Sequence, residues 1–317
     1  MSGFAYIVHD GKVEQPILKE ALDKQAGLSW IHLNTNDERA QLWLSGEAKL
    51  AQPVIDALTA METRPRCELF GPAALVNLRG MSSEDVDTSD QLASIRMYAH
   101  GGCVFSVTRK PLNAVAPVRK QVEEGKILDP GDLIAAIAQA ITEELDPMVA
   151  ELGDSLDDCE EQISRHRAFD LRRLVNATRV KAIGLRRFLY PQRAALEKLA
   201  GLPVEWLADD DRLHLSAAAD RAARMAEELE SIRERAALTH ETLTDLRAEL
   251  IDQRSLTIAV VAMVFLPLTF LTGLLGMNVA GIPYAHEPWA FAGVVGVCVV
   301  MALGIAGYFI GRHWFER

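Results

Sequence analysis

The last quarter of this sequence holds two charge-free apolar runs, Leu256 to Met277 and Trp289 to Ile310, of 22 residues each. As a helix rising about 1.5 Å per residue, each run reaches about 33 Å, enough to cross a hydrocarbon core of roughly 30 Å. A water-soluble helix of that length shows a polar face to solvent, and neither run has one. The chain is therefore expected to cross a membrane twice. A first span at 256–277 and a second at 289–311 enclose an outer loop at 278–288, and a short tail occupies 312–317.

The basic residues set the orientation. Arg247 and Arg254 precede the first span and Arg312 and Arg317 follow the second, whereas the loop between them has no Lys or Arg. Positive flanks stay on the cytoplasmic side, so both termini are expected there. Net charge is −11, and every acidic residue except Glu287 and Glu316 precedes the first span. An acidic body of this kind repels nucleic acid and attracts cations. The first ten residues have neither the basic start nor the apolar core of a signal peptide. Cys67, Cys103, Cys159 and Cys298 are scattered with no C-x-x-C pair, which predicts reduced thiols and neither a disulfide framework nor a zinc finger.

Residues 1–130 alternate short apolar runs with helical patches. Phe4 to Val8, Trp30 to Leu33, Leu69 with Ala73 to Leu78, Ile95 to Ala99 and Cys103 to Val107 read as strands, and Gly101-Gly102 as a hairpin turn between the last two. Pro16 to Lys24, Asp37 to Leu44 and Pro53 to Met61 read as helices, which together make a compact α/β domain. Residues 131–208 then change to long helices, the first acidic and interrupted softly at Asp146-Pro147 and Gly153. The second, about Leu171 to Leu199, is rich in Arg and Lys. Acidic beside basic predicts a charge-paired helical hairpin, with the arginines serving structure and no nucleic acid bound.

A stalk helix at 209–255 follows. Leu215, Ala218, Ala222, Met225, Leu229, Ile232, Ala236, Thr239, Leu243, Leu246 and Leu250 fall at alternating steps of three and four, and no Pro or Gly occurs between Leu215 and Pro267. One heptad seam thus leads without a break into the first span. It is available to the chain's own hairpin and to copies of the chain.

The first span reads Met263-Val264-Phe265-Leu266-Pro267-Leu268-Thr269-Phe270-Leu271-Thr272-Gly273-Leu274-Leu275-Gly276-Met277-Asn278. It resembles the pore helix and Gly-Met-Asn signature of the CorA family of metal-ion transporters. The tripeptide alone is a weak match, but its position at the outer end of the first of two C-terminal spans, after a long stalk, makes it specific. Trp30-Ile31-His32-Leu33-Asn34, Glu62-Thr63-Arg64-Pro65-Arg66 and Gly276 through Pro283 look like the zinc-transporting ZntB branch of that family. Magnesium-transporting members typically continue from Gly-Met-Asn toward Met-Pro-Glu, where Gly281-Ile282-Pro283 stands here. The resemblance implies an α+β fold: a CorA-like cytoplasmic α/β domain, helical hairpin, stalk and two C-terminal spans, in a funnel-shaped homopentamer of the bacterial inner membrane.

The same resemblance makes Gly276, Met277 and Asn278 the filter. Stepping back from Asn278 by helical turns gives Thr269, Leu266, Ala262, Ile258, Ser255 and Asp252 as candidate pore-facing rings. Amide and hydroxyl oxygens receive the water shell of a hard divalent ion without stripping it, and apolar rings gate by dewetting. From Ser255 to Ala285 there is no Cys, His, Asp or Glu, so the span offers no dehydrated zinc site and no proton carrier. Zn²⁺ uptake with tolerance for Ni²⁺, Co²⁺ and Cd²⁺ is the expected function, His286 and Glu287 recruiting metal in the outer loop. No resident cofactor and no enzyme activity are expected, since Walker A, G-x-S-x-G and H-E-x-x-H motifs are all missing, and the sequence leaves the location of any regulatory metal site open. The alternatives are a Mg²⁺/Co²⁺ channel and a non-transporting membrane-anchored sensor or scaffold.

Overall fold

The computed structural model describes residues 2–23, 26–61, 64–83, 91–164, 167–277, 281–282, 284 and 286–311. The chain divides into two compact units, one of Met1–Gln162 with Arg173–His240, the other of Ile163–Arg172 with Glu241–Arg317.

The first unit is built on a seven-stranded mixed sheet of β1 (Gly3–His9), β2 (Lys12–Glu14), β3 (Leu28–Asn34), β4 (Arg66–Phe70), β5 (Ala73–Met81), β6 (Leu92–His100) and β7 (Cys103–Thr108). Its strand order is β2-β1-β3-β7-β6-β5-β4. All neighbours are antiparallel except the central pair, where β3 runs parallel to β7 with Ile31 opposite Phe105. The Gly101-Gly102 turn closes the β6–β7 hairpin, and Gly101 takes φ +54°, a left-handed conformation that glycine adopts without strain.

Alternation along the strands puts Ala5, Ile7, Ile31, Leu33, Leu75, Phe105 and Val107 in one core. Against it lie α1 (Leu18–Asp23), α2 (Glu38–Gly46) and α3 (Gln52–Thr59), the last two contributing Trp43, Leu44, Val54, Ile55 and Leu58. A fourth short helix, α4 (Val115–Glu123), has no strong start signal in the sequence, since Ala114 caps it without a side-chain hydrogen bond. The long helix α5 (Pro130–Glu161) crosses β5 at Gly80, where a Cβ would stand 3.0 Å from Ile141 Cγ1. Glycine there sets how closely helix and sheet approach.

Helix α5 starts at a pair of capping carboxylates. Asp129 accepts from the Asp132 backbone N–H at 2.9 Å and Asp132 accepts from that of Leu128 at 2.9 Å, with Pro130 in the first turn. The helix runs through Pro147 and Gly153 without a break. Pro147 is exposed, so the carbonyl it leaves unpaired four residues earlier faces a solvated side. Helix α6 (Ala168–Ala200) follows, then α7 (Asp209–Leu275), 67 residues in one element, and α8 (Ala290–Gly311).

Among the described residues, the acidic α5 finds cations on α7: Arg221 reaches Glu143 at 3.4 Å, and Arg235 bonds both Glu160 at 2.5 Å and Asp157. From α6, Arg186 meets Glu230 of α7 at 2.9 Å, while Arg193 pairs with Glu197 in its own helix. Arg221 and Arg235 thus bring cations to α5 from the third helix, whose own charge is mixed. Nine of the eleven seam positions, Leu215 through Leu243, are also buried within the single chain, with Leu246 and Leu250 half-buried. That seam is spent inside the protomer.

Candidate ion-conduction face and metal-binding groups

Helix α7 begins with Asp209, Asp210 and Asp211 in its first turn, where carboxylates complement the helix dipole. Asp211 accepts a hydrogen bond from the Ala208 backbone N–H at 2.8 Å. Downstream the helix continues through Pro267 to Leu275, and the Gly276 N–H closes its last turn on the Thr272 carbonyl at 2.9 Å.

Over its apolar half α7 has two distinct sides. Leu256, Val260, Val264, Pro267, Leu268, Leu271 and Leu275 are half-buried. Asp252, Ser255, Ile258, Ala262, Leu266 and Thr269 are all exposed, Ile258 at 69% and Leu266 at 74%. With 3.6 residues per turn the two sets project to opposite sides of the helix. The six candidate pore residues therefore share one uncovered face, with polar groups at its two ends and aliphatic groups between.

Hydroxyls on this segment differ in commitment. Thr257 bonds the Gln253 carbonyl at 2.9 Å, and Thr272 bonds those of Leu268 at 2.9 Å and Thr269 at 3.2 Å. The Thr269 hydroxyl makes no hydrogen bond among the described residues. It is thus uncommitted on the exposed face. Gly273 has open space around it.

Just beyond the C-terminal end of α7, Gly276 and Met277 are exposed, and Asn278 lies outside the described residues. Gly281 takes φ +109° and Tyr284 φ +59°. The Tyr284 ring lies 5.3 Å from that of Trp289, and the Tyr284 carbonyl accepts from the Glu287 N–H at 3.0 Å. His286 and Glu287 are both exposed on this turn. Helix α8 carries no charged side chain along its length.

Two polar groupings lie in the soluble part. In the first, the Trp30 indole N–H donates to Ser106 Oγ at 2.8 Å, and Ser106 lies 2.8 Å from His32 Nδ1. The other ring nitrogen, Nε2, lies 3.5 Å from Thr108 Oγ1, so both nitrogens of the buried imidazole face hydroxyl groups. Burial drives the His32 pKa down to about 4. Trp30 and His32 are therefore structural.

The second grouping was not legible in the sequence. Asp129, Asp132 and Asp211 bring carboxylate oxygens within 4.8 Å of one another, with Asp211 buried. Burial first, then the neighbouring Asp129 and Asp132 charges, push the Asp211 pKa up to about 6 against the pull of its bond to Ala208, and burial also raises that of Asp129. Two helix caps meeting head to head account for the cluster. The chain separation of Asp132 and Asp211 hides it from any local pattern.

Comparison with known proteins follows from this geometry. The family profile described as CorA-like Mg2+ transporter protein matches residues 25–312. The zinc transport protein ZntB of Pectobacterium atrosepticum is 29% identical over 286 residues, covering 90% of this chain and 87% of that one. Among solved structures, the full-length CmaX protein is 28% identical with TM-score 0.77, covering 96% of this chain and 97% of its own. The CorA magnesium transporter of Methanocaldococcus jannaschii shares 16% identity but the same fold, with TM-score 0.78 over 98% and 97% of the two chains.

Proposed function

We propose that this chain, which belongs to the CorA family, carries divalent metal cations across a membrane, with Zn²⁺ as its main cargo. The observation that carries the reading is the uncovered face of α7 from Asp252 to Thr269, opposite a half-buried one. In a ring of identical copies, each such residue becomes a ring of identical groups. Family resemblance supports a homopentamer shaped as a funnel, with α7 inside and α8 facing lipid.

The chemistry is that of a hydrated ion. Thr269, and Asn278 beyond it, offer neutral oxygens to the ion's water shell, while Ile258 and Leu266 form apolar constrictions that gate by dewetting. Asp252 collects cations at the opposite mouth, and His286 with Glu287 recruits them at the outer loop. Two positive charges moving inward through about 100 mV contribute about 4.6 kcal/mol, so accumulation needs no ATP. The positive flanks of both spans support an inner membrane location with both termini cytoplasmic. The chain itself acts as a transporter without enzyme activity or resident cofactor.

A Mg²⁺/Co²⁺ channel is the second reading, favoured by the absence of any inner-sphere zinc ligand between Ser255 and Ala285. Purified protein in liposomes, assayed for Zn²⁺, Ni²⁺, Co²⁺, Cd²⁺ and Mg²⁺ influx under imposed pH and voltage gradients, separates the two. Asn278→Leu is expected to abolish Zn²⁺ flux with the oligomer intact. Full flux through that variant overturns the filter assignment, and no flux of any metal through the unmodified protein leaves a membrane-anchored scaffold.

A further inference from the structure

At one end of the sheet, the β4–β5 turn, the β6–β7 turn, the start of α5 and the link between α6 and α7 enclose a cleft of about 690 Å³. Sites for small organic ligands commonly measure about 300–1,000 Å³. Backbone contacts set its walls. A Cβ on Gly102 would stand 2.6 Å from the Ala26 carbonyl oxygen, so the β6–β7 turn lies directly against the entrance to β3. The Trp206 indole N–H donates to the Pro72 carbonyl at 3.1 Å, which ties the link to the β4–β5 turn. Trp206, Pro72 and Pro203 all line the cleft and give it an apolar surface of rigid rings.

Charge in the cleft is one-sided. Asp129 and Glu205 line it from different walls, His100 stands exposed there, and no Lys or Arg is among the described lining residues. Asp132 and Asp211 bring carboxylate oxygens close to those of Asp129, and Asp209 and Asp210 begin the same helix as Asp211. Arg212 is committed elsewhere, donating to the Ala200 and Leu202 carbonyls at 2.7 Å each and to that of Val204 at 3.4 Å. The crowding is already felt, since the Asp129 and Asp132 charges add to burial in raising the Asp211 pKa to about 6. A cation in the cleft relieves that repulsion. A bare metal ion would have to compete with the helix caps, because Asp129 and Asp132 each accept a backbone N–H at 2.9 Å and Asp211 accepts one at 2.8 Å. An ammonium group needs only the remaining lone pairs, and the methylenes between two such groups cover ring surface that a hydrated metal ion leaves unused. We propose that this cleft binds an aliphatic polyammonium ion of the spermidine class, with its ammonium groups against Asp129 and Glu205 and its methylenes against Trp206. The site lies in the soluble part and is independent of which metal the chain carries.

The test titrates spermidine into the full chain in mild detergent by isothermal calorimetry, at about 0.1 M salt so that distant surface charges are screened. Saturable binding at one site per chain is expected. Asp129→Asn, which keeps an N-capping side chain, together with Glu205→Gln on the exposed link, is expected to weaken it about tenfold or more. Trp206→Leu is expected to weaken it about threefold at unchanged charge. If the double variant loses helical content, Glu205→Gln alone decides, with an expected loss of about threefold. Asp252→Asn removes a carboxylate on the candidate conduction face and is expected to leave the affinity within about twofold. Absence of saturable binding overturns the proposal, as does an affinity unchanged by loss of the cleft carboxylates or of the Trp206 ring. So does binding that disappears in Asp252→Asn, which places the triamine on α7. Mg²⁺ titrated in the same way is expected to bind at least about tenfold more weakly. Mg²⁺ binding as tight as that of spermidine and abolished by the cleft variants assigns these carboxylates to a metal ion and overturns the polyammonium assignment.

Discussion

The Thr272 hydroxyl donates to the backbone carbonyl of Thr269 at 3.2 Å, while the Thr269 hydroxyl, one turn earlier, makes no such bond among the described residues. Two threonines three residues apart thus have different chemistry available to them. One is absorbed into the helix, and the other remains uncommitted on the exposed face.

The pair makes a matched experiment. Thr269→Val is expected to lower Zn²⁺ flux about tenfold, because an apolar ring removes contacts that a hydrated ion uses, whereas Thr272→Val stays within about twofold. Both changes keep side-chain volume. Liposome flux that falls equally in the two variants would argue that Thr269 acts through packing alone.

Breadth of cargo follows from the ligand-free span. Ni²⁺, Co²⁺ and Cd²⁺ are expected to compete with Zn²⁺ within about tenfold, a difference of about 1.4 kcal/mol. Competition assays on reconstituted protein measure it. Strict preference for Zn²⁺ over all three requires a coordination site outside residues 255–285.

The carboxylates where α5 and α7 begin predict a pH dependence of definite sign. Asp211 titrates at about 6 in the fold against an ordinary value of 3.8, so the folded state holds the proton more tightly than the unfolded chain. Its contribution favours the fold below about pH 4 and is lost as pH rises through about 6. Asp211→Asn keeps an oxygen for the Ala208 N–H and removes the charge. It is expected to raise the thermal midpoint at pH 8 by roughly 2–4 °C and to lose that advantage at pH 4. A variant with the same pH slope as the parent would place the titration elsewhere.

Ser106 serves two buried partners, the Trp30 indole and the His32 imidazole. Ser106→Ala leaves both without that hydroxyl and is expected to cost about 1–3 kcal/mol. The loss is read as a lower thermal midpoint at neutral pH. Metal flux per folded protein is expected to be unaffected, which separates this stabilising group from those on the candidate conduction face.

The sequence reading reached the fold where hydrophobic period and turn chemistry spoke together. Five of the seven strands were located by runs such as Phe4 to Val8, and the apolar seam of α7 was visible because no Pro or Gly interrupts it. Short elements escaped: β2 has three residues, and α4 lacks a capping side chain. Partner choice among helices was also beyond composition, since net charge on α6 does not reveal that Arg221 and Arg235 of α7 sit opposite α5. The candidate conduction face was derived from helical period, and its exposure on one side required coordinates. Asp129, Asp132 and Asp211 converge only through tertiary folding, so no local spacing announced them.

The central parallel pair of the sheet has a consequence for the order of assembly. Leu28–Asn34 hydrogen-bonds to Cys103–Thr108, so the sheet cannot close until about the first third of the chain has been made. Such distant pairing slows closure relative to the local hairpins beside it. Both apolar helices lie far downstream, at the other end of the chain. A growing polypeptide therefore has all seven strands available before its first lipid-seeking segment is synthesised, and the soluble domain can fold while still unanchored.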